Sequence, residues 1–118
     1  MDSKDAVGAL AALAQDSRLA VYRLLVTRGP AGLVVGEIGE TLGIPGPTLS
    51  FHLKELVQAG LLTARKESRF VRYAANFERM NALLAYLTEN CCGLDAACRP
   101  ACSPPPARRR RPATARAG

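Results

Sequence analysis

Residues 44–59 read IPGPTLSFHLKELVQA, and this stretch decides how the rest of the chain can fold. Its start predicts a rigid turn, and Pro47 suits the first position of a helix because its missing N–H would be unpaired there in any case. The helix is predicted from Thr48 to about Ala59, since Gly60 then ends it. At 100° per residue, four apolar side chains fall on one side of it, and the opposite side is polar. The four are Leu49, Leu53, Leu56 and Val57.

Three further helices are predicted before this one. The first covers about 3–15, with Ser3 as a cap, and the second runs from 16 or 17 to 28. The second is apolar around much of its circumference and should therefore be central in the core. A short third helix is predicted over 35–42. The apolar positions at helical spacing in the first helix are Val7, Leu10 and Leu13.

After Gly60 the apolar pattern changes from a period of 3.6 towards one of 2. Residues 61–66 and 70–74 are predicted as two strands of a hairpin, and a last helix runs from Phe77 to about Asn90. The fold class is therefore mainly α with a small β-hairpin, in the order ααααββα. That order, with a basic hairpin after the helix pair, is a winged helix-turn-helix.

Composition allows one folded domain, predicted over 1–90, followed by a cysteine-rich segment over 91–102 and a disordered Pro/Arg-rich tail over 103–118. The net charge is +6, but five of the 16 basic residues lie in that tail. Basic composition alone is therefore a weak argument for nucleic acid. No stretch resembles a signal peptide or a membrane span, so we expect a cytoplasmic protein without a membrane partner, whose cysteines are thiols.

The second helix of a helix-turn-helix enters the major groove, and here its outward residues can contact duplex DNA. Candidate base and phosphate contacts on this helix are Thr48 and Lys54, which face away from the apolar side, and Ser50 and His52, which lie at its flanks. Phe51 also points away from the apolar side, where it can contact a thymine methyl or pack against a neighbouring helix. Candidate phosphate contacts on the hairpin are Arg65, Lys66, Arg69 and Arg72. Nothing near His52 has a catalytic spacing, so we expect no enzyme activity and no organic cofactor.

Residues 49–56 (LSFHLKEL), followed by AGLL at 59–62, resemble the recognition segment of the ArsR/SmtB family of metal-sensing repressors. DSRL at 16–19 and YRLL at 22–25 are similar to the family's second helix. The resemblance implies a homodimer joined through the first and last helices, which leaves operator DNA when it binds an inducer. The hairpin turn, residues 67–69, is Glu-Ser-Arg where the family often has glycine, so we expect a looser tip.

All four cysteines lie within 12 consecutive residues: Cys91, Cys92, Cys98 and Cys102. Three interpretations remain open: a sensor for a soft metalloid, a structural zinc site, and a thiol redox switch. A disulfide is disfavoured by the expected compartment. Three sulfur donors without nitrogen or carboxylate suit trivalent arsenic better than zinc.

The pattern Asn90-Cys91-Cys92, with Cys98 six residues on, resembles arsenic-responsive members of the family. That resemblance implies Cys91, Cys92 and Cys98 as ligands and Cys102 as an alternate, with arsenic(III) as inducer and antimony(III) as a second candidate. Where many members carry two cysteines on the third helix, this chain has Val34 and Gly36. Consecutive residues point about 100° apart on an intact helix, so we expect metalloid capture to distort the last helical turn.

Overall fold

The computed structural model describes residues 1–91, and these form five helices and a three-stranded antiparallel sheet. The elements in chain order are α1 (Ser3–Leu13), α2 (Asp16–Arg28), a 3-10 turn (Gly29–Ala31), β1 (Leu33–Val34), α3 (Val35–Leu42), α4 (Gly46–Gln58), β2 (Leu62–Glu67), β3 (Phe70–Ala75) and α5 (Phe77–Leu87). This order confirms the predicted winged helix-turn-helix. Met1–Tyr86 is one compact unit, and Leu87 begins a second. In residues 1–91 no helix is long and apolar enough to cross a membrane.

One buried cluster holds the helices and the sheet together. α2 lies at its centre, as predicted, and contacts α1, α3, α4 and β3. Its Val21 and Leu25 are completely buried, and Tyr22 is nearly so. The other large, fully buried side chains are Ile38, Leu49, Leu53, Leu56 and Leu61. Apart from Tyr22, the core is therefore mainly aliphatic, and most of its large, fully buried side chains come from α2 and α4.

α1 forms as predicted, but its start and its buried side differ from what the sequence indicated. Asp2 caps the helix instead of Ser3, because the Asp2 carboxylate accepts a hydrogen bond from the backbone N–H of Asp5 at 2.8 Å. The buried side chains are Ala6, Ala9 and Ala12. Val7 and Leu10 are instead 62% and 43% exposed. Alanines allow α1 to pack closely on the core, which leaves Val7 and Leu10 facing outward, while Leu13 is partly buried against the core.

The helix-turn-helix pair is formed by α3 and α4. Gly43 ends α3 with a left-handed φ of 67°, which permits the sharp turn. α4 begins at Gly46, two residues before the predicted start, so Pro47 occupies its second position. The predicted apolar side is nearly as expected, although Val57 is only partly buried. Its fully buried members, each at most 1% exposed, are Leu49, Leu53 and Leu56.

The sheet contains the predicted hairpin and one strand that the sequence did not indicate. β2 and β3 are joined by only two residues, and the first, Ser68, has a left-handed φ of 56°. The tip is therefore tight without a glycine, and the expected looser tip is wrong. β1 has two residues, with Leu33 opposite Tyr73 of β3, so the strand order is β1-β3-β2.

Gly32 is required where the chain enters β1. Its φ is 62°, and a Cβ built on it would collide with the backbone carbonyl of Tyr73. We expect Gly32→Ala to lower the free energy of unfolding by about 2 kcal/mol or more, because it adds backbone strain to a clash. Urea unfolding measures this change.

Gly36 is the matched control, since it lies in a helix with nothing near its Cβ position. Gly36→Ala should raise the free energy of unfolding by about 0.5–1 kcal/mol. Equal effects of the two substitutions would contradict the close approach of Gly32 to β3.

Candidate nucleic-acid interface

The side of α4 opposite its leucines is exposed and polar. Thr48, Ser50 and Lys54 all lie on the solvent-accessible surface, on the N-terminal two thirds of the helix. The structure thus brings together three of the predicted DNA contacts on one element. Hydroxyl and ammonium groups in this arrangement can reach base edges and phosphates of a duplex.

Phe51 is exposed on the same helix. Its side chain is 56% accessible, so no helix of the described chain covers it. Its ring centroid lies 5.8 Å from that of His52, with the two planes tilted by 59°. Phe51 therefore does not pack against a neighbouring helix of the described chain, and contact with a thymine methyl is the alternative that remains.

His52 lies inside the protein and not on the predicted interface. It is 7% exposed, and its Nδ1 is buried without a hydrogen-bond partner among the described residues. On the helical wheel His52 is only about 60° from Leu49, so the broad apolar side of α4 includes it. We therefore leave His52 out of the set of residues that can contact DNA directly.

The hairpin of residues 62–75 is called the wing below. Some of its basic residues form ion pairs within the wing and others do not. Lys66 and Arg69 are exposed and form no ion pair within residues 1–91. Arg65 is paired with Glu67, through hydrogen bonds of 3.1 Å from Nε and 2.9 Å from Nη2. The cations that are free to meet phosphates are therefore the two nearest the tip.

Arg72 has a different position from the one that the sequence suggested. Its Nε donates to the Glu67 carboxylate at 2.9 Å, and its Nη1 donates to the carbonyl of Ala31 at 3.3 Å. Only 30% of its side chain is exposed. Arg72 thus ties the wing to the turn before β1. The sequence showed Glu67 only as a lone acid in the hairpin, and its role as the partner of two arginines depends on the strand register.

Glu67 should give the wing a pH-dependent stability. Hydrogen bonds from Arg72 and then from Arg65 hold its pKa below the ordinary value of 4.5. A carboxyl group whose pKa is lowered by folding stabilises the folded state above its unfolded pKa, and this is lost as the pH falls through the lowered value. We expect Glu67→Gln to lower the melting temperature slightly at pH 7, and the difference from the parent to shrink below pH 4.5.

The control for this pH series is Glu40→Gln, which removes an exposed acid on α3 that has no ion pair in the described residues. It should leave the pH profile of the melting temperature close to that of the parent. A constant difference between parent and Glu67→Gln from pH 7 to pH 3 would contradict the role given to the Arg65 and Arg72 pairs.

The cysteine segment begins outside a helix. α5 ends at Leu87, and Asn90 has a left-handed φ of 59°. The N–H of Cys91 donates to the carbonyl of Thr88 in a turn, and Cys91 is exposed. The predicted end of the last helix near Asn90 is therefore wrong, and Cys91 does not lie on an intact helical turn that capture would have to distort. Cys92, Cys98 and Cys102 lie outside the described residues.

The folded part of the chain offers no ready metal site. Residues 1–91 contain no cluster of three or more His, Cys, Asp or Glu side chains placed to hold a metal ion. On α3, where the sequence predicted no metal site, Val34 is the residue before the helix and Gly36 is its second residue. The arsenic ligand set thus remains a prediction from the sequence.

The exposed side of α4, the tight turn before it and the basic wing define a winged helix-turn-helix protein of the class that reads duplex DNA. A family model described as a helix-turn-helix domain matches residues 13–65. The arsenical resistance operon repressor of Bacillus subtilis is 35% identical over 81 residues, which are 69% of this chain and 73% of that protein. The chain belongs to the ArsR/SmtB family of helix-turn-helix transcriptional regulators.

Two other relatives extend beyond the matched region. YceK of Bacillus subtilis, an uncharacterized HTH-type transcriptional regulator, is 47% identical over 58 residues, or 49% of this chain. A Halobacterium salinarum relative is 36% identical over 81 residues, or 69% of this chain. The matches cover 57% and 61% of those two proteins, so this chain spans less than two thirds of their length.

Solved structures show the same fold. HlyU from Vibrio cholerae N16961 is 34% identical, with a TM-score of 0.59, and the match covers 74% of this chain and 97% of HlyU. The homodimeric winged helix-turn-helix domain of Mb0332 from Mycobacterium bovis is 27% identical, with a TM-score of 0.59, and the match covers 74% and 81% of the two chains.

Proposed function

We propose that this chain is a repressor that binds operator DNA as a homodimer and releases it when Cys91, Cys92 and Cys98 capture trivalent arsenic. Cys102 is an alternate ligand, and antimony(III) is a second inducer. The DNA-binding part rests on the exposed polar side of α4 beside a basic wing. The arsenic part rests on the four cysteines in residues 91–102, supported by the Bacillus subtilis relative that is an arsenical resistance operon repressor.

On DNA, α4 would lie in the major groove and the wing along the phosphate backbone. Thr48, Ser50 and Phe51 would contact base edges, and Lys54 would contact a phosphate. Lys66 and Arg69 supply the wing's free positive charge. Arg65 and Arg72 are held by Glu67 in the absence of DNA.

The proposed dimer would use α1 and α5. Val7 and Leu10 on α1 and Leu84 on α5 are exposed apolar side chains. Apolar surface of this kind is stabilised by burial against a partner, and a second copy of the chain presents the same surface. The homodimeric Mycobacterium bovis domain supports this assembly by similarity of fold.

Two substitutions should distinguish contacts to DNA bases from contacts to the phosphate backbone. Ser50→Ala removes a hydroxyl that can read a base, so it should weaken binding to a duplex selected from a random pool by about 1–3 kcal/mol, and binding to mixed-sequence DNA much less. Arg69→Ala should weaken binding to both duplexes about equally and make the salt dependence shallower by about 1 per protomer. Fluorescence anisotropy over a range of salt concentrations measures both effects.

Arg23→Ala is the matched control, since it removes an equal charge from an exposed position on α2. It should leave both affinities nearly unchanged. If Arg69→Ala altered sequence preference while Ser50→Ala did not, the roles given to α4 and the wing would be reversed.

The donor set fits trivalent arsenic, which takes three sulfur ligands in a pyramid. Cys91 is exposed and lies four residues after the end of α5. Capture of one ion by Cys91, Cys92 and Cys98 would close a loop directly after that helix. Because α5 belongs to the proposed dimer interface, the constraint would reach the spacing of the two α4 helices and disfavour the DNA-bound form.

The three cysteines should act as one unit. Removal of any one thiolate from a three-sulfur site lowers its affinity strongly, so Cys91→Ser, Cys92→Ser and Cys98→Ser should each still bind DNA but fail to release it at arsenite levels that release the parent. Cys102→Ser, in the same segment, is the control and should respond almost as the parent does. Anisotropy of a labelled duplex during an arsenite titration reports release.

Other outcomes of these experiments would identify a different site. Unaltered arsenite release in all three single variants would reject the sensor assignment. One zinc per chain in the purified reduced protein would favour a structural zinc site. Loss of DNA binding on mild peroxide treatment, without metalloid, would favour a thiol redox switch.

A further inference from the structure

Two arginines face each other directly across the wing. Arg65 on β2 is opposite Arg72 on β3 in the strand register, and like charges in such positions repel. Glu67 lies two residues further along β2, on the same face, and its carboxylate accepts hydrogen bonds from both guanidinium groups. A single carboxylate therefore offsets the repulsion of the pair.

The two arginines are held differently. Arg72 is 30% exposed and has a second partner, the carbonyl of Ala31. The side chain of Arg65 is 63% exposed, and Glu67 is the one residue within 1–91 to which this side chain donates hydrogen bonds. Arg65 can therefore exchange its partner at little structural cost, whereas release of Arg72 would also detach the wing from the turn before β1.

The interaction between Arg65 and Glu67 uses the groups that a phosphate would use. Nε and Nη2 of Arg65 both donate to Oε2 of Glu67, and guanidinium groups bind phosphate oxygens through the same N–H donors. While this ion pair persists, Glu67 occupies the Nε and Nη2 donors of Arg65 and offsets its positive charge, so Arg65 contributes less to phosphate binding and to counterion release than a free arginine would. If Arg65 moves to a phosphate, it leaves the Glu67 charge close to the DNA backbone.

We propose that Glu67 is a positioning residue that withholds Arg65 from DNA and so restricts the binding of the wing to arbitrary sequences. The inference rests on the proposed DNA-binding function. Lys66 and Arg69 then bind the first phosphates, and Arg65 is engaged only where the fit of α4 in the groove holds the wing close to the backbone. Sequence-independent affinity is lowered, because it depends on the number of phosphates neutralised.

The test uses the full-length protein and a mixed-sequence duplex, so no operator has to be known. Glu67→Gln keeps the size of the side chain but removes its charge. We expect tighter binding to this duplex and a steeper fall of log affinity with log salt, by about 0.9 for each additional phosphate that the protein neutralises. Glu78→Gln removes the same charge from an exposed position on α5 and should change neither quantity.

Two further variants separate this role from a merely structural one. Arg65→Ala should reduce the salt dependence of DNA binding less than Arg69→Ala does, because in the parent protein Arg65 is paired with Glu67 and Arg69 has no such partner. The double variant Arg65→Ala/Glu67→Gln should lack the steeper salt dependence expected for Glu67→Gln alone. Glu67→Asp keeps the negative charge and should bind the duplex with the affinity and salt dependence of the parent. Circular dichroism confirms that each variant is folded.

Weaker binding by folded Glu67→Gln, or an unchanged salt dependence, would overturn this inference while leaving the DNA-binding proposal intact. Additive effects of Arg65→Ala and Glu67→Gln on the salt dependence of DNA binding would also overturn this inference and leave the DNA-binding proposal intact. Failure of the parent to bind any duplex would overturn the proposed function and this inference together.

Discussion

Burial of Leu49, Leu53 and Leu56 fixes the rotation of α4 about its axis. Each is at most 1% exposed, and burial of one leucine contributes about 1.5–3 kcal/mol. A net hydrogen bond contributes only about 0.5–1.5 kcal/mol, so interactions on the polar side cannot compete with the leucines for the orientation of the helix. The core thus determines which residues of α4 are exposed, and the proposed DNA contacts on that side can vary without loss of the fold.

The wing is held to the same frame by backbone pairing and one charged cluster. β3 pairs with β1, and β1 leads directly into α3, the first helix of the helix-turn-helix. Gly32 allows β1 and β3 to approach, and Arg72, in the middle of β3, links Glu67 near the tip to Ala31 before β1. Movement of the wing's base would therefore disturb the start of α3. The side chains of Lys66 and Arg69 are exposed and form no ion pair within residues 1–91, so they are less constrained.

The sequence predicted the order of helices and strands because apolar periodicity and Gly/Pro positions mark each element. It did not predict β1, since two residues are too few to show an alternating pattern. It placed His52 at the edge of α4, because a wheel indicates direction but not how wide the buried side is. For α1 the size of Val7 and Leu10 suggested that their side of the helix is buried. The buried side instead carries alanines, because α1 packs closely on the core there. The pairing of Glu67 with two arginines required the register of β2 and β3.

α1 also explains how a small stimulus could have a large effect. Its alanines bury the side that faces its own core, so Val7 and Leu10 remain available for a second copy of the chain. A 100-fold loss of DNA affinity requires a coupling free energy of about 2.7 kcal/mol, which is roughly the burial of one leucine. In the proposed dimer, a shift that exposes one such side chain would be sufficient. In the proposed mechanism, release of DNA would therefore not require the dimer to dissociate; an altered packing of α1 and α5, which would change the distance between the two copies of α4, would be enough.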